Sequence, residues 1–191
     1  MEINSINIPN IIRCIVIKPE KEIPIITEIS LDPNIKEENN EDDYSFNINS
    51  FEKDIRKILG IENNEQEPLF SCLADPLQDF VLILNPEMLN NDSEYNFGYA
   101  GTPLFGNVII IQTKIDENQK EADDNSIVTK VISMEEKVAE VLQTFFGNNK
   151  ELEKKSGVYD SIVNEIKQTS KKDFIRNILN DNIEAGNYEE K

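Results

Sequence analysis

The chain has 191 residues, a length that suits one domain, and its formal net charge is -18 from 37 acidic and 19 basic residues. Histidine is absent, which excludes Ser-His-Asp and Cys-His catalysis, histidine zinc sites and haem ligation by histidine. The negative charge either serves solubility alone or recruits a basic protein partner, and it argues against direct binding of nucleic acid or of anionic membranes.

The chain begins with Met1-Glu2-Ile3-Asn4, which lacks the basic and apolar regions of a signal peptide, and no apolar run approaches the length of a membrane span. We therefore expect a cytoplasmic protein that does not associate with membranes. The two cysteines, Cys14 and Cys72, lie too far apart for a CxxC motif, and each has apolar neighbours. Both are expected to be buried thiols, with a bridge between adjacent strands or a reactive thiolate as open alternatives.

Residues 11–18 form the first predicted strand, because the run is β-branched and of strand length. A turn at Pro19-Glu20-Lys21 leads to a second predicted strand. Its alternating positions are Ile23, Ile25, Thr27 and Ile29. Pro24 removes one ladder donor, so this strand should lie at a sheet edge or begin after Pro24.

Two polar segments are predicted as surface loops and hold the acidic candidates for partner contact. The first runs from Asp32 to Tyr44 and contains Glu37, Glu38, Glu41, Asp42 and Asp43. The second runs from Lys114 to Lys130 and contains Asp123 and Asp124. A carboxylate cluster raises a calcium hypothesis, but the Asp-x-Asx-x-Asx-Gly spacing and its turn glycine are missing, so we assign no metal ligand.

Ser50 to Leu59 is predicted as a helix, with Ser50 as its N-cap and Gly60 as its stop. Its apolar stripe, which should dock on the sheet, consists of Phe51, Ile55, Ile58 and Leu59. Residues 69–73 and 79–85 then read as two strands of a hairpin. Carboxylates flank the connecting turn at Asp75 and Asp79, but exposed turn residues are favoured there over a catalytic pair.

Val108 to Ile111 is short, apolar and β-branched, which predicts a central strand buried on both faces. The stretch from Tyr99 to Gly106 before it is predicted as a glycine-proline turn. Gly98, Gly101 and Gly106 could suggest a phosphate cradle, but no Lys-Ser/Thr pair or helix follows them. We therefore expect no nucleotide cofactor.

Three helices are predicted after residue 132. Ser133-Met134-Glu135-Glu136 is a capping box, and the helix that it opens should end at Gly147, with its core-facing stripe formed by Val138, Val141, Leu142 and Phe145. Residues 148–156 are predicted as a charged, solvated linker. Two further helices over 158–168 and 171–183 carry apolar stripes, and Phe174 and Ile178 are candidate interaction residues. We predict that the residues after Gly147 form a helical arm that is separable from the domain and binds a partner, with packing back on the domain and self-association as open alternatives.

The order of these pieces resembles a small domain of unknown function, family thirty-eight forty-six, over roughly residues 11 to 146. The likeness is carried by Cys14-Ile15-Val16-Ile17-Lys18-Pro19-Glu20-Lys21, by Ile83-Leu84-Asn85-Pro86-Glu87 and by Gly101-Thr102 before the apolar strand. Glu20 replaces the glycine of the family's Pro-Gly-Lys, the loops at 32–44 and 114–130 are expanded, and the tail after Gly147 is extra. The resemblance implies a phage, plasmid or other mobile-element origin and no known reaction.

We therefore predict an α+β fold: a mainly antiparallel sheet of about five strands with covering helices, over residues 1–147, and a helical C-terminal extension over 148–191. The expected function is that of a non-enzymatic acidic binding protein of anti-defence type that inhibits or modulates a host protein, with DNA mimicry as one way in which it could act. A structural or regulatory subunit that assembles through the C-terminal helices, including as a homo-oligomer, is the alternative. A carboxylate and metal enzyme comes third, and no catalytic residue, metal or cofactor is assigned.

Overall fold

A computed structural model describes residues 11–32, 46–73, 77, 79–90, 92–113 and 130–186 of the chain. Their strands are β1 (Ile11–Ile17), β2 (Ile25–Ser30), β3 (Phe46–Asn47), β4 (Leu69–Cys72), β5 (Phe80–Leu84), β6 (Tyr95–Tyr99), β7 (Thr102–Phe105), β8 (Val108–Thr113) and β9 (Lys130–Ile132). Their helices are a 3-10 helix at Ile48–Phe51, then α1 (Glu52–Leu59), α2 (Glu136–Lys155), α3 (Val158–Gln168) and α4 (Lys171–Gly186). The predicted α+β class with a mainly antiparallel sheet is confirmed.

The main sheet has seven strands rather than about five, and β8 lies at its centre. Five strands follow the order β2-β1-β8-β5-β4, and β9 joins β8 to the short β3. Ile110 pairs with Ile15 on one side and with Leu82 on the other. The prediction for Val108 to Ile111 is confirmed, since all four residues are buried in this central strand.

Alternation along the strands produces two cores, one on each face of the sheet. Successive side chains of a strand point to opposite faces, so a run without polar residues must be covered twice. On one face Ile109 and Ile111 pack in a cluster that includes Phe51 and Ile55 of the α1 region. On the other face Ile110 packs in a cluster with residues of α2 and of the β6–β7 hairpin.

The hairpin β6–β7 forms a separate two-stranded sheet that the sequence did not predict. Ala100 and Gly101 connect its strands with φ of 48° and 78°, the positive values that a type I′ hairpin turn requires. The predicted turn at Tyr99 to Gly106 is therefore wrong in extent, because Thr102–Phe105 is strand β7. Pro103 lies opposite Gly98 in this sheet. Because a two-stranded sheet leaves one side of each strand without a ladder partner, a proline, which has no N–H to donate, can be accommodated in β7.

The first two strands agree with the sequence. β1 spans Ile11–Ile17, and β2 begins at Ile25, one residue after Pro24. β2 also ends the strand order, which confirms the edge position.

The predicted N-caps of the first two α-helices are wrong. Phe51 occupies the N-cap of α1 because Ser50 lies inside the preceding 3-10 helix, and the phenylalanine side chain has no oxygen that could make a cap bond. Gly60 ends α1 in the left-handed conformation, as predicted. The capping box at Ser133 is wrong: α2 has Glu135 at its N-cap without a side-chain bond, and Ser133 Oγ accepts a hydrogen bond from the Arg13 amide.

Helix α2 runs through the predicted stop and the predicted linker. It continues past Gly147 to Lys155, so the charged segment is helical, and the expected boundary between residues 147 and 148 falls inside a continuous helix. The helices after it match their predicted ranges closely. Apolar residues of α3 and α4 pack around Tyr95 and Phe105 of the hairpin, so these helices contact the domain.

Candidate functional site

Helix α2 has one face in the core and one face in solvent. The buried positions are Ala139, Leu142, Phe146 and Lys150, spaced by three and four residues as one helical face requires. Phe146 fixes this orientation, because its ring contacts those of Phe97 and Tyr99 with centroids 5.9 and 5.8 Å apart. The opposite face points away from the sheet.

Three large apolar residues line that solvent face, and we name them the outer stripe: Val141, Phe145 and Leu152. Their exposed fractions are 67%, 43% and 65%. Intervals of four and seven residues place them on one line along the helix. The prediction that Val141 and Phe145 face the core is wrong, because the chain is apolar on both sides of this helix and only the fit of Phe146 against the hairpin decides between them.

A cavity of about 650 Å³ lies beside α2, between this helix and the turn after β1. Ile23 on its rim is 68% exposed. Two lysines that line it already have partners: Lys154 lies 3.7 Å from Glu22 and over the ring of Tyr159, and Lys155 pairs with Glu151. The cavity therefore offers an apolar rim and paired charges, which suit contact with a protein surface better than capture of a small anion.

Lys150 is buried at the floor of this region, with 2% of its surface exposed. Its Nζ donates to the carbonyl oxygens of Lys18 and Lys21 at 2.6 and 2.8 Å and to Asn96 Oδ1 at 2.8 Å. Burial, together with a smaller effect of the positive charge of Lys154, lowers the pKa of Lys150 to about 8, against the opposing effect of the carboxylates of Glu20, Glu153 and Glu22. The ammonium form remains dominant at pH 7.

Glu153, one turn further along α2, fastens the helix to the hairpin. Its carboxylate accepts hydrogen bonds from Tyr95 Oη at 3.1 Å and from the Gly98 amide at 2.8 Å. Burial and the charge of Glu153 raise the pKa of the Tyr95 hydroxyl, which therefore stays protonated and donates. A Cβ at position 98 would lie 2.8 Å from Glu153 Oε1, so glycine permits this approach.

The structure separates the predicted interaction residues. The acidic candidates Glu37, Glu38, Glu41, Asp42, Asp43, Asp123 and Asp124 lie outside the described residues. Phe174 is 4% exposed in the cluster with Tyr95 and Phe105, and Ile178 packs against that cluster. Phe174 is thus a core residue, and the prediction that it contacts a partner is corrected, because its side chain is already covered by the domain.

Only one of the two cysteines is buried as predicted. Cys14 is buried in β1, and burial raises its pKa to about 12, with a smaller contribution from Asp54. Cys72 is exposed at the end of the edge strand β4, so its predicted burial is wrong. Both are free thiols.

The sequence contained a signal for the outer stripe, although the prediction assigned it to the core. Val141, Phe145 and Leu152 are spaced for one helical face, and Ala139, Leu142 and Phe146 are spaced for another. Asn96 and Lys150 carried no such signal, because a buried polar pair is recognisable only from the contacts around it.

Comparisons with known proteins supply no relative: no family model, no curated protein and no solved structure matches the chain. The resemblance to family thirty-eight forty-six therefore stays a prediction. In the part of the chain that the structure describes, no helix has the length and apolarity to cross a membrane. The same residues include no group of three or more Cys, Asp or Glu side chains placed to hold a metal ion.

Proposed function

We propose that this protein is a non-enzymatic binding protein that docks on another protein through the outer stripe of α2. The single observation that carries the proposal is the exposure of Val141, Phe145 and Leu152 in one line on a well-packed helix. Single exposed apolar residues are ordinary, whereas aligned ones mark contact surfaces. Helix faces of this kind bind partners through anchors at helical spacing.

The net charge of -18 supports a partner with a basic surface. Complementary charge raises the association rate and loses its effect as salt screens it. Within this proposal the protein inhibits or modulates a host protein, as expected of a phage or mobile-element protein of anti-defence type. DNA mimicry has less support, because the acidic residues concentrate in the predicted loops at 32–44 and 114–130 rather than at the regular spacing of a strand face.

Assembly through the C-terminal helices is the weaker alternative. Their apolar side chains already pack on the hairpin, where Phe174 is buried and Ile162 and Ile178 contact the same cluster. Self-association through the outer stripe would also bring two strongly negative chains together, which costs electrostatic energy. A foreign basic protein meets no such penalty.

Affinity capture from a host lysate tests the proposal when a stripe variant and a matched control are compared. Phe145→Ser with Leu152→Ser removes apolar surface without a change of charge, and each buried side chain is worth roughly 1–2 kcal/mol at such exposure. We expect at least a tenfold loss of the captured protein. Leu69→Ser changes an apolar residue of 46% exposure on β4 and should leave capture unchanged.

The salt dependence and the mass of the complex complete the test. Capture should weaken between about 50 and 500 mM salt, and the protein alone should be monomeric in sedimentation. Equal capture by the stripe variant and the control would contradict the proposal. A dimer that the stripe substitutions dissociate would assign the surface to self-association instead.

A further inference from the structure

We propose that the carbonyl oxygens of Lys18 and Lys21 and the side-chain oxygen of Asn96 form a binding site for a primary ammonium group, which Lys150 fills from within the chain. Through this site α2 holds the turn after β1 in place. The inference is independent of the proposed function, because it concerns contacts inside the chain.

The geometry of the oxygens matches an ammonium ion. An ammonium group has three donors and no acceptor. Lys150 Nζ meets three acceptors at 2.6 to 2.8 Å, and the carbonyl of Pro19 is a more distant fourth at 3.5 Å. A charged group with 2% exposure requires such complete pairing, since burial of an unpaired charge is prohibitive.

Asn96 is held so that its oxygen is available to the ammonium group. It is fully buried, and its Nδ2 donates to the carbonyl oxygens of Ile17 at 2.9 Å and Gly106 at 2.8 Å. Both amide protons are therefore used, and Oδ1 is directed at Lys150. This network joins α2, β1, β6 and the end of β7 in one set of buried hydrogen bonds.

The turn that supplies the other two oxygens is closed by its own backbone. The Lys21 amide donates to the Lys18 carbonyl at 3.2 Å, so that oxygen accepts from both the turn and Lys150. The same turn leads to Ile23 on the rim of the cavity beside α2. The ammonium group thus ties the turn after β1 to helix α2.

Chemical rescue tests the site in the full-length chain. Lys150→Ala removes the ammonium group and opens the space that its stem occupied, and we expect the melting temperature to fall by about 10 °C. Butylammonium chloride at pH 7 should then restore several degrees in a saturable manner. Tetramethylammonium chloride, which cannot donate a hydrogen bond, should not.

Two further variants keep the outcome decisive if the alanine variant does not fold. Lys150→Met keeps most of the stem without the charge, and Lys150→Arg keeps the charge in a planar fork that cannot direct three protons at a tripod. Both should melt below the wild type, and neither should respond to butylammonium. Wild-type stability in the arginine or methionine variant, or an equal response of all variants to butylammonium, would overturn the proposal.

Discussion

At the scale of single residues, Lys150 and Asn96 show how a charge is accommodated inside the domain. Neither residue interrupts a predicted pattern, yet one is 2% exposed and the other fully buried. Their burial is possible because every donor meets an oxygen within 2.9 Å. The pKa of Lys150, about 8, indicates that the pairing offsets only part of the cost of burial.

That pKa predicts a specific pH dependence of stability. The pKa of Lys150 is lower in the folded chain than the value of about 10.4 in the unfolded chain, so the unfolded chain binds more protons between these values. The free energy of unfolding of the wild type, relative to Lys150→Met, should therefore rise from about pH 8 to about pH 10.4. Urea denaturation of both proteins at pH 7, 8.5 and 10 measures the difference. A constant or falling difference would contradict the assigned pKa.

The hairpin turn offers a second test at the residue scale. Ala100 has a φ of 48°, a left-handed conformation that is unfavourable for any residue with a Cβ. Ala100→Gly should stabilise the protein by about 0.5–1 kcal/mol in chemical denaturation. Gly101→Ala, at a φ of 78°, is the matched control and should destabilise it. The opposite order of stabilities would show that the turn has another conformation.

At the scale of elements, β8 and α2 organise the domain. β8 pairs with β5 from Val108 to Gln112 and with β1 from Val108 to Ile110, and it supplies alternate side chains to both cores. α2 covers one of these cores and continues past the sheet to receive α3. The apolar composition of β8 is enough to predict its central position, whereas the buried face of α2 depends on the residues against which the helix packs.

The central position of β8 predicts a severe effect of charge in its interior. Ile110 is fully buried between two strands, so Ile110→Asp places an unpaired carboxylate there and should leave the protein unfolded or insoluble. Ile25→Asp, on the edge strand at 36% exposure, should fold normally. Circular dichroism and a thermal melt distinguish them. A cooperative melt of soluble Ile110→Asp would refute the central placement.

The continuity of α2 through Gly147 can be tested by a substitution that adds a single methyl group. A Cβ there would lie 3.4 Å from Pro24 Cδ, an ordinary contact, so Gly147→Ala should stabilise the helix by up to about 1 kcal/mol. Gly157→Ala, at a φ of 76° before α3, should destabilise the protein. If Gly147 ended the helix in a left-handed conformation, its substitution would destabilise the protein as well.

At the scale of the whole molecule, the C-terminal helices complete the fold around the hairpin. Tyr95 and Phe105 are buried together with Phe174, and Tyr95 Oη donates to Glu153. The Tyr159 hydroxyl in turn donates to the Tyr95 carbonyl at 3.3 Å. A core that includes residues so far apart in the chain argues against a separable arm.

Truncation after Asn148 tests this dependence. It removes Lys150, Glu153 and the helices that cover the hairpin. The apolar surface of the hairpin would become exposed, and Asn96 Oδ1 and the Gly98 amide would lose their hydrogen-bond partners. We therefore expect loss of the cooperative thermal transition. A chain ending at Gly186 should melt like the full-length protein. A shortened core that stays folded and monomeric would instead support a separable extension.

The sequence alone determined those elements whose residue pattern is compatible with only one placement in the fold. Val108 to Ile111 has no polar side that could face solvent, and Pro24 admits β2 only as an edge strand or after the proline, so both predictions are confirmed. The ranges of α3 and α4 followed from their apolar spacing. These decisions depend on local sterics and on burial of a contiguous run, which the chain carries without reference to distant residues.

Only the tertiary structure decided which side of α2 is buried and how Lys150 is used. The helix presents two apolar faces, and the fit of Phe146 against Phe97 and Tyr99 turns Val141 and Phe145 to solvent. A lysine in a charged segment is normally solvated, and the oxygens that bury this one come from residues more than 50 positions away in the sequence. Such choices depend on contacts between distant segments, which exist only after the chain has folded.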